Sequence, residues 1–261
     1  MYTFTQLGNL GRLGNQMFQF ASTLGLGHKK NQEVYFPLEN HCRIPEAFPA
    51  TREYLRTLSE IVVSQRYNEI DFRYSPEVLT LPSGTDLHGY FQTEKYFHFI
   101  REKILFLFSF NPEIEHKAQS VWDSEVIQFA AGAETISLHV RRGDYLQYPN
   151  HHPTCSPDYY GTAISSFNPD AKFLVFSDDL QWCKTNFIGD KFYFPDTQSD
   201  LVDLKIMTMC NHHIIANSSF SWWGAWLNTN QEKRVVAPSN WFGPEIRKDP
   251  SDVYCQGWQI I

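Results

Sequence analysis

Two arginines and a carboxylate stand at the end of an apolar run, where His139-Val140-Arg141-Arg142-Gly143-Asp144-Tyr145 follows Thr135-Ile136-Ser137-Leu138. A guanidinium is a planar fork that donates in pairs to a phosphate or a carboxylate, so this segment is suited to gripping an anion. Side chains alternate along a strand, which puts His139 and Arg141 on one face and Arg142 on the other. The two arginines are therefore expected to have different jobs. Two more apolar runs end in polar groups, Ser177-Asp178-Asp179 after residues 172–176 and Asn217-Ser218-Ser219 after residues 213–216. Asp178 or Asp179 can accept from a ribose hydroxyl or a base amine. Ser218, Ser219 and the amides that open the helix at Phe220 can hold a phosphate. If the three strand ends converge, they describe a nucleoside diphosphate site. Plainer roles compete: Arg141 or Arg142 can pair with Asp144 or Asp178, and the adjacent acids can hold a divalent cation. Two arginines already neutralise a diphosphate, which weighs against the metal.

The elements that must position these groups are legible from periodicity. Residues 2–7 read as a first strand, followed by the loop Gly8-Asn9-Leu10-Gly11-Arg12-Leu13-Gly14-Asn15-Gln16, and then by Met17, Phe20, Ala21 and Leu24 at helical spacing. Strand, glycine loop and helix make the shape of an anion cradle, although a tight turn has the same signature. A second strand is expected over 33–38. From there to about residue 100 the chain is loop-rich, with Pro45, Pro49, Pro76 and Pro82 and one strand over 87–91. Helices are predicted over 93–108 and 112–131. Further on, Ser156-Pro157 opens a helix to about 167, another runs from 180 to 187, and Thr197-x-x-Asp200 resembles a capping box. A last helix over 220–227 places Trp222, Trp223 and Trp226 as core, before a strand over 234–237 and an irregular tail. Recurring strand, turn and helix predict an α/β, doubly wound parallel sheet, with a domain boundary that leaves 1–132 and 133–261.

The net charge is -7, and no Lys/Arg run exceeds two residues, which excludes a general nucleic-acid binder. Five cysteines without a C-x-x-C pattern point to a reducing compartment and against structural zinc. The pairs His151-His152 and His212-His213 have the wrong spacing for joint chelation and are expected in a solvated loop or the core. No apolar run approaches the roughly 20 residues that span a bilayer, so the expectation is a cytoplasmic protein with at most peripheral contact at the inner membrane face.

With these residues in hand, the segments Gly11-Arg12-Leu13-Gly14-Asn15-Gln16-Met17-Phe18-Gln19, His139 to Tyr145 and Asn211 to Trp226 resemble those of the α-1,2-fucosyltransferases, glycosyltransferase family 11, within the wider group that shares H-x-R-R-x-D. The resemblance implies a GT-B fold of two Rossmann-like domains facing a cleft, an acceptor-side N-terminal one and a C-terminal one that binds GDP-sugar. It implies inverting transfer of fucose from GDP-fucose to the 2-hydroxyl of an oligosaccharide or glycolipid with terminal galactose, with no cofactor and no metal. By position, Arg141 and His139 would be catalytic, with Arg141 on the β-phosphate and His139 on the guanine-ribose side; Asp144, a carboxylate near the donor, is the candidate general base, the alternative being that it only orients Arg141 or Arg142. Donor contacts would fall to Arg12, Gly14, Asn15, Gln16, Arg142, Asp178, Asp179, Ser218, Ser219 and Phe220. A transferase of another nucleotide sugar or linkage, or a non-catalytic glycan-binding module, are the alternatives. The last leaves the paired arginines without a task.

Overall fold

The computed structural model describes residues 1–261 and divides into two units, each built on its own all-parallel sheet. Unit 1 comprises Met1–Asn111 and Lys248–Cys255. Its strands are β1 (Tyr2–Thr3), β2 (Val34–Pro37), β3 (Leu55–Arg56), β4 (Gln65–Asn68) and β5 (Thr85–His88), in the order β3-β2-β1-β5-β4. Unit 2 comprises Pro112–Arg247 and Gln256–Ile261. It holds β6 (Thr135–Val140), β7 (Lys172–Ser177), β8 (Phe192–Tyr193), β9 (His212–Ile214), β10 (Val235–Ala237) and β11 (Gln259–Ile260), in the order β11-β10-β9-β6-β7-β8. The direction of winding reverses between β1 and β5 in the first sheet and between β6 and β9 in the second. Loops leaving adjacent strands at such a point part to opposite faces and open a crevice at the carboxyl ends of the strands.

All six residues of β6 are buried, as an interior strand covered on both faces requires. The Leu13–Lys30 helix ends where Asn31 turns into the left-handed region at φ 50°, with its amide donating to the carbonyls of Gly27 and His28. The three tryptophans of the Ser219–Leu227 helix are core: Trp222 and Trp223 are fully buried, stacked edge to face at 4.9 Å. No helix is long and apolar enough to cross a membrane.

Several elements depart from the periodicity. The expected 93–108 helix begins as two 3-10 turns, Glu94–Tyr96 and His98–Ile100, and becomes α-helical only over Arg101–Leu107. The chain breaks at Phe97, which is buried and has φ -144°, outside the helical region. The 112–131 helix carries a π-helical stretch over Trp122–Val126. It belongs to unit 2 and lies upstream of the 132/133 boundary, tied by Lys205 to Glu115 at 3.0 Å. Ser199, not Thr197, caps the Asp200–Met209 helix, while the Thr197 hydroxyl donates to Asp203. Strands β3, β4 and β11 have no apolar alternation; each sits at a sheet edge, where pairing comes from the backbone.

His213 is a satisfied core histidine. The Asn228 amide donates to the Cys210 carbonyl at 2.6 Å, and it faces His213 Nε2 at 2.8 Å. That ring nitrogen therefore accepts, and Nδ1 carries the proton toward Ser137 Oγ at 2.7 Å. Burial, then Lys233, hold its pKa down to about 3. His139 is pushed to about 3 by burial and Arg141. A depressed histidine contributes stability that is complete above its unfolded value of about 6.5 and lost as pH falls toward the folded one, by up to about 1.4 kcal/mol per pH unit per group. Thermal unfolding should therefore move to lower temperature between about pH 6.5 and 4. His213→Gln, which keeps a donor and an acceptor but does not titrate, should shallow that dependence; an unchanged slope would remove His213 from the account.

Candidate functional site

Strand register brings the three polar strand ends of unit 2 together. In the β6–β7 pair Val140 lies opposite Ser177, so Arg141 and Arg142 emerge beside Asp178 and Asp179. In the β6–β9 pair Leu138 lies opposite Ile214, and continuing that register sets Asn217 and Ser218 beside the same loop. The crevice between β6 and β9 is thus lined by the His139–Asp144 segment and the start of the Ser219–Leu227 helix.

The two arginines diverge, as strand alternation requires. Arg141 reaches Asp178 with Nη1 at 3.0 Å and Asp144 with Nη2, and its side chain is only 16% exposed. Its guanidinium lies 5.3 Å from the Tyr145 ring. Arg142 points away: Nε donates to Asp179 at 2.9 Å, and the guanidinium stacks on Trp182 at 4.2 Å. The Arg142 hydrogen bond, and then the Trp182 amide, hold the Asp179 carboxyl below the usual carboxylate range. Asp179 Oδ1 accepts that amide at 3.1 Å as the N-cap of the Leu180–Asn186 helix. Asp178 Oδ1 accepts the Arg142 backbone amide at 2.9 Å. Gly143 is required by the same carboxylate, because a Cβ there would lie 2.5 Å from Asp178 Oδ2.

His139 is buried and neutral at physiological pH, 5.7 Å from the Phe220 ring, with Nδ1 left without a hydrogen-bond partner. Ser218 caps the last helix, its Oγ accepting the Phe220 amide at 3.3 Å, while Ser219 and Phe220 stay partly exposed. The Tyr145 hydroxyl donates to the Asn217 carbonyl at 3.0 Å and thereby ties the two loops together. Burial pushes the Tyr145 phenol up to about 12, so it remains a donor. The arrangement places a partly shielded guanidinium next to a helix N-terminus, a combination suited to phosphate.

In unit 1 the glycine loop leaves β1 at the other reversal point. Gly8 has φ +94°, and a Cβ there would meet the backbone of Cys42 at 2.8 Å. Arg12 is the helix N-cap residue, and its own side chain makes no capping hydrogen bond; Gly14 follows in the first turn. Gln16 is buried and committed at both ends: Nε2 donates to the Gly11 carbonyl at 3.2 Å, and Oε1 accepts the Arg43 amide at 3.0 Å. Asn15 Oδ1 accepts Gln92 Nε2 at 2.7 Å. Trp182 and Gln92 were not singled out from sequence. Trp182 stands three residues after the capping Asp179, a local signal; Gln92 is brought to Asn15 by non-local pairing.

The order and parallel sense of the two sheets define an α/β fold shared with solved fucosyltransferases. Over 94% of this chain and 72% of the other, the Arabidopsis thaliana FUT1 structure, a mutant in complex with GDP, superposes with a TM-score of 0.57 at 12% identity. The chain belongs to glycosyl transferase family 11, whose sequence profile matches residues 2–261. It is 35% identical to the Escherichia coli O-antigen biosynthesis glycosyltransferase WbnK, over 89% of this chain and 93% of that protein. It is 30% identical to the Escherichia coli alpha-1,2-colitosyltransferase, over 90% and 91%. The bovine galactoside alpha-(1,2)-fucosyltransferase 1 matches at 28%, over 83% of this chain and 64% of its own length.

Proposed function

We propose that the chain transfers fucose from GDP-fucose, with inversion and without an essential metal, to the 2-hydroxyl of a terminal galactose on an oligosaccharide or glycolipid. The observation that carries the proposal is Arg141, which stands at the β6/β9 reversal point between two carboxylates and beside the Ser218-capped helix. The family membership and the α-1,2 linkage in the names of two relatives support it.

As the sugar–phosphate bond breaks, negative charge grows on the β-phosphate and positive charge on the ring. Arg141 and the opening amides of the Ser219–Leu227 helix stabilise the first. Asp144 and Asp178 preset the orientation of the guanidinium, which therefore need not be ordered when the nucleotide arrives. Arg142 is spent on Asp179 and Trp182 and supports the loop. In the same proposal His139 is a neutral contact on the guanine-ribose side, Asp144 is the base for the acceptor hydroxyl, Arg12, Gly14 and Asn15 are GDP-fucose contacts, and buried Gln16 holds the glycine loop that carries them. A second reading has one specific support, the relative named a colitosyltransferase, and differs only in the sugar transferred.

Calorimetry with GDP in the presence and absence of Mg²⁺, followed by a donor panel on lactose, tests all of this. The expected result is metal-independent GDP binding and turnover with GDP-fucose but not with UDP-sugars. GDP binding without fucose transfer, joined to transfer from a colitosyl donor, would favour the second reading. No GDP binding would remove both.

A further inference from the structure

Unit 1 holds a second built feature at its own reversal point, on the turn that leaves β5. Glu69 follows β4, and its carboxylate is taken up by two successive backbone amides of that turn: Tyr90 N–H donates to Oε2 at 2.7 Å and Phe91 N–H to Oε1 at 2.8 Å. The turn is shaped to this side chain. Gly89 has φ +150°, and a Cβ there would lie 2.3 Å from Glu69 Cβ. Phe91 is buried with φ 51°, a conformation that costs a non-glycine residue free energy and persists only where its surroundings enforce it. Gln19 Nε2 donates both to the Gly89 carbonyl at 3.1 Å and to the Leu10 carbonyl at 3.0 Å, and Gln92 bonds Asn15. The β5 turn and the glycine loop are thus one assembly across the β1/β5 crevice.

Polar atoms are left over in this assembly. Tyr67 Oη, His88 Nδ1 and Gln92 Oε1 are buried without a hydrogen-bond partner, and all three belong to the ends of β4 and β5 or to the turn. Gln92 Oε1 stands in the turn itself, and a buried polar atom without a partner is rare enough in folded proteins to call for an explanation. The Gln92 side-chain amide is uncharged, and its Oε1 can only accept, which suits a donating sugar hydroxyl.

We infer that the Gly89–Gln92 turn binds hydroxyls of the acceptor sugar, and that Glu69 is the positioning residue that holds the turn in its binding shape. The inference rests on the glycosyl-transfer reading for the identity of the ligand, not for the role of Glu69. Half-buried Tyr90 supplies an aromatic edge to the same element. Burial is the main cause that raises Glu69 to about 7, against the Tyr90 and Phe91 amides and Lys248, which lower it, and with Asp71, which adds to the rise. The phenols of Tyr90, Tyr96 and Tyr67 and the His88 ring are the other ionisable groups around it. Protonation removes an acceptor from one of the two amides, so the hold loosens as pH falls through this value.

The test measures KM for lactose and for GDP-fucose in wild type, Glu69→Gln and Gln92→Leu across about pH 6 to 8. Expected for Glu69→Gln is a lactose KM raised about tenfold at high pH, the scale of one lost hydrogen bond, with the GDP-fucose KM unmoved. The wild-type lactose KM should climb toward that value as pH falls, and in Glu69→Gln it should be flat. Gln92→Leu should raise it while keeping the wild-type pH dependence. An unchanged lactose KM in Glu69→Gln, or a donor KM that rises with it, overturns the inference. If Glu69→Gln does not fold, the wild-type pH series decides. Hydrogen exchange of the Tyr90 and Phe91 amides in wild type at the two ends of that range reads the hold whether or not lactose is the acceptor: equal protection at both overturns the role of Glu69, whereas failure of every galactoside as acceptor strikes the functional proposal.

Discussion

Arg141→Ala should lower kcat for the proposed fucosyl transfer about 10²- to 10³-fold, the usual cost of removing one preorganised donor from a developing oxyanion. The size follows from placement. The guanidinium is largely shielded and is held by Asp178 at 3.0 Å and by Asp144, so it meets the phosphate without being ordered first. Its removal also leaves those two carboxylates facing the site without their cation, which repels the donor and should weaken GDP binding in calorimetry. Arg142→Ala serves as the contrast, since that guanidinium is engaged by Asp179 and Trp182 and its loss should mainly lower stability. A folded Arg141→Ala protein that retains more than about a tenth of wild-type turnover would refute the assignment of the phosphate grip.

Asp144→Asn should be at least as damaging, with kcat down about 10²- to 10⁴-fold, the contribution of a positioned general base. The asparagine keeps the shape of the side chain and a hydrogen bond to Arg141, but it cannot take a proton from the acceptor hydroxyl. At 40% exposure Asp144 is the more accessible of the two acids on Arg141, consistent with its meeting an incoming acceptor. The acidic limb of the pH–rate profile should vanish in the variant. Should the limb persist while the GDP-fucose KM rises, Asp144 orients Arg141 and the base lies elsewhere.

Much of the catalytic-side architecture is local chemistry. The buried strand 135–140, the Arg-Arg-Gly-Asp turn after it, the Ser156 and Ser218 caps and the tryptophan helix depend on residues within one or two turns of each other, so composition and spacing determine them. Alternation also determined that Arg141 and Arg142 diverge. Their partners are another matter. Arg141 takes Asp178 and Arg142 takes Asp179 because Val140 pairs with Ser177, a register set by the whole sheet and 37 residues away in the chain. Glu69 is an ordinary glutamate until parallel pairing of β4 with β5 brings the Tyr90 and Phe91 amides onto its carboxylate. The strand that precedes it, Gln65-Arg66-Tyr67-Asn68, lies at a sheet edge, mostly exposed, and shows no apolar alternation. Residue type and spacing thus decided which side chains stand at the strand ends. Only the tertiary structure decided which of them face each other, because parallel strands meet through long crossovers and their register is an energy of the assembled sheet.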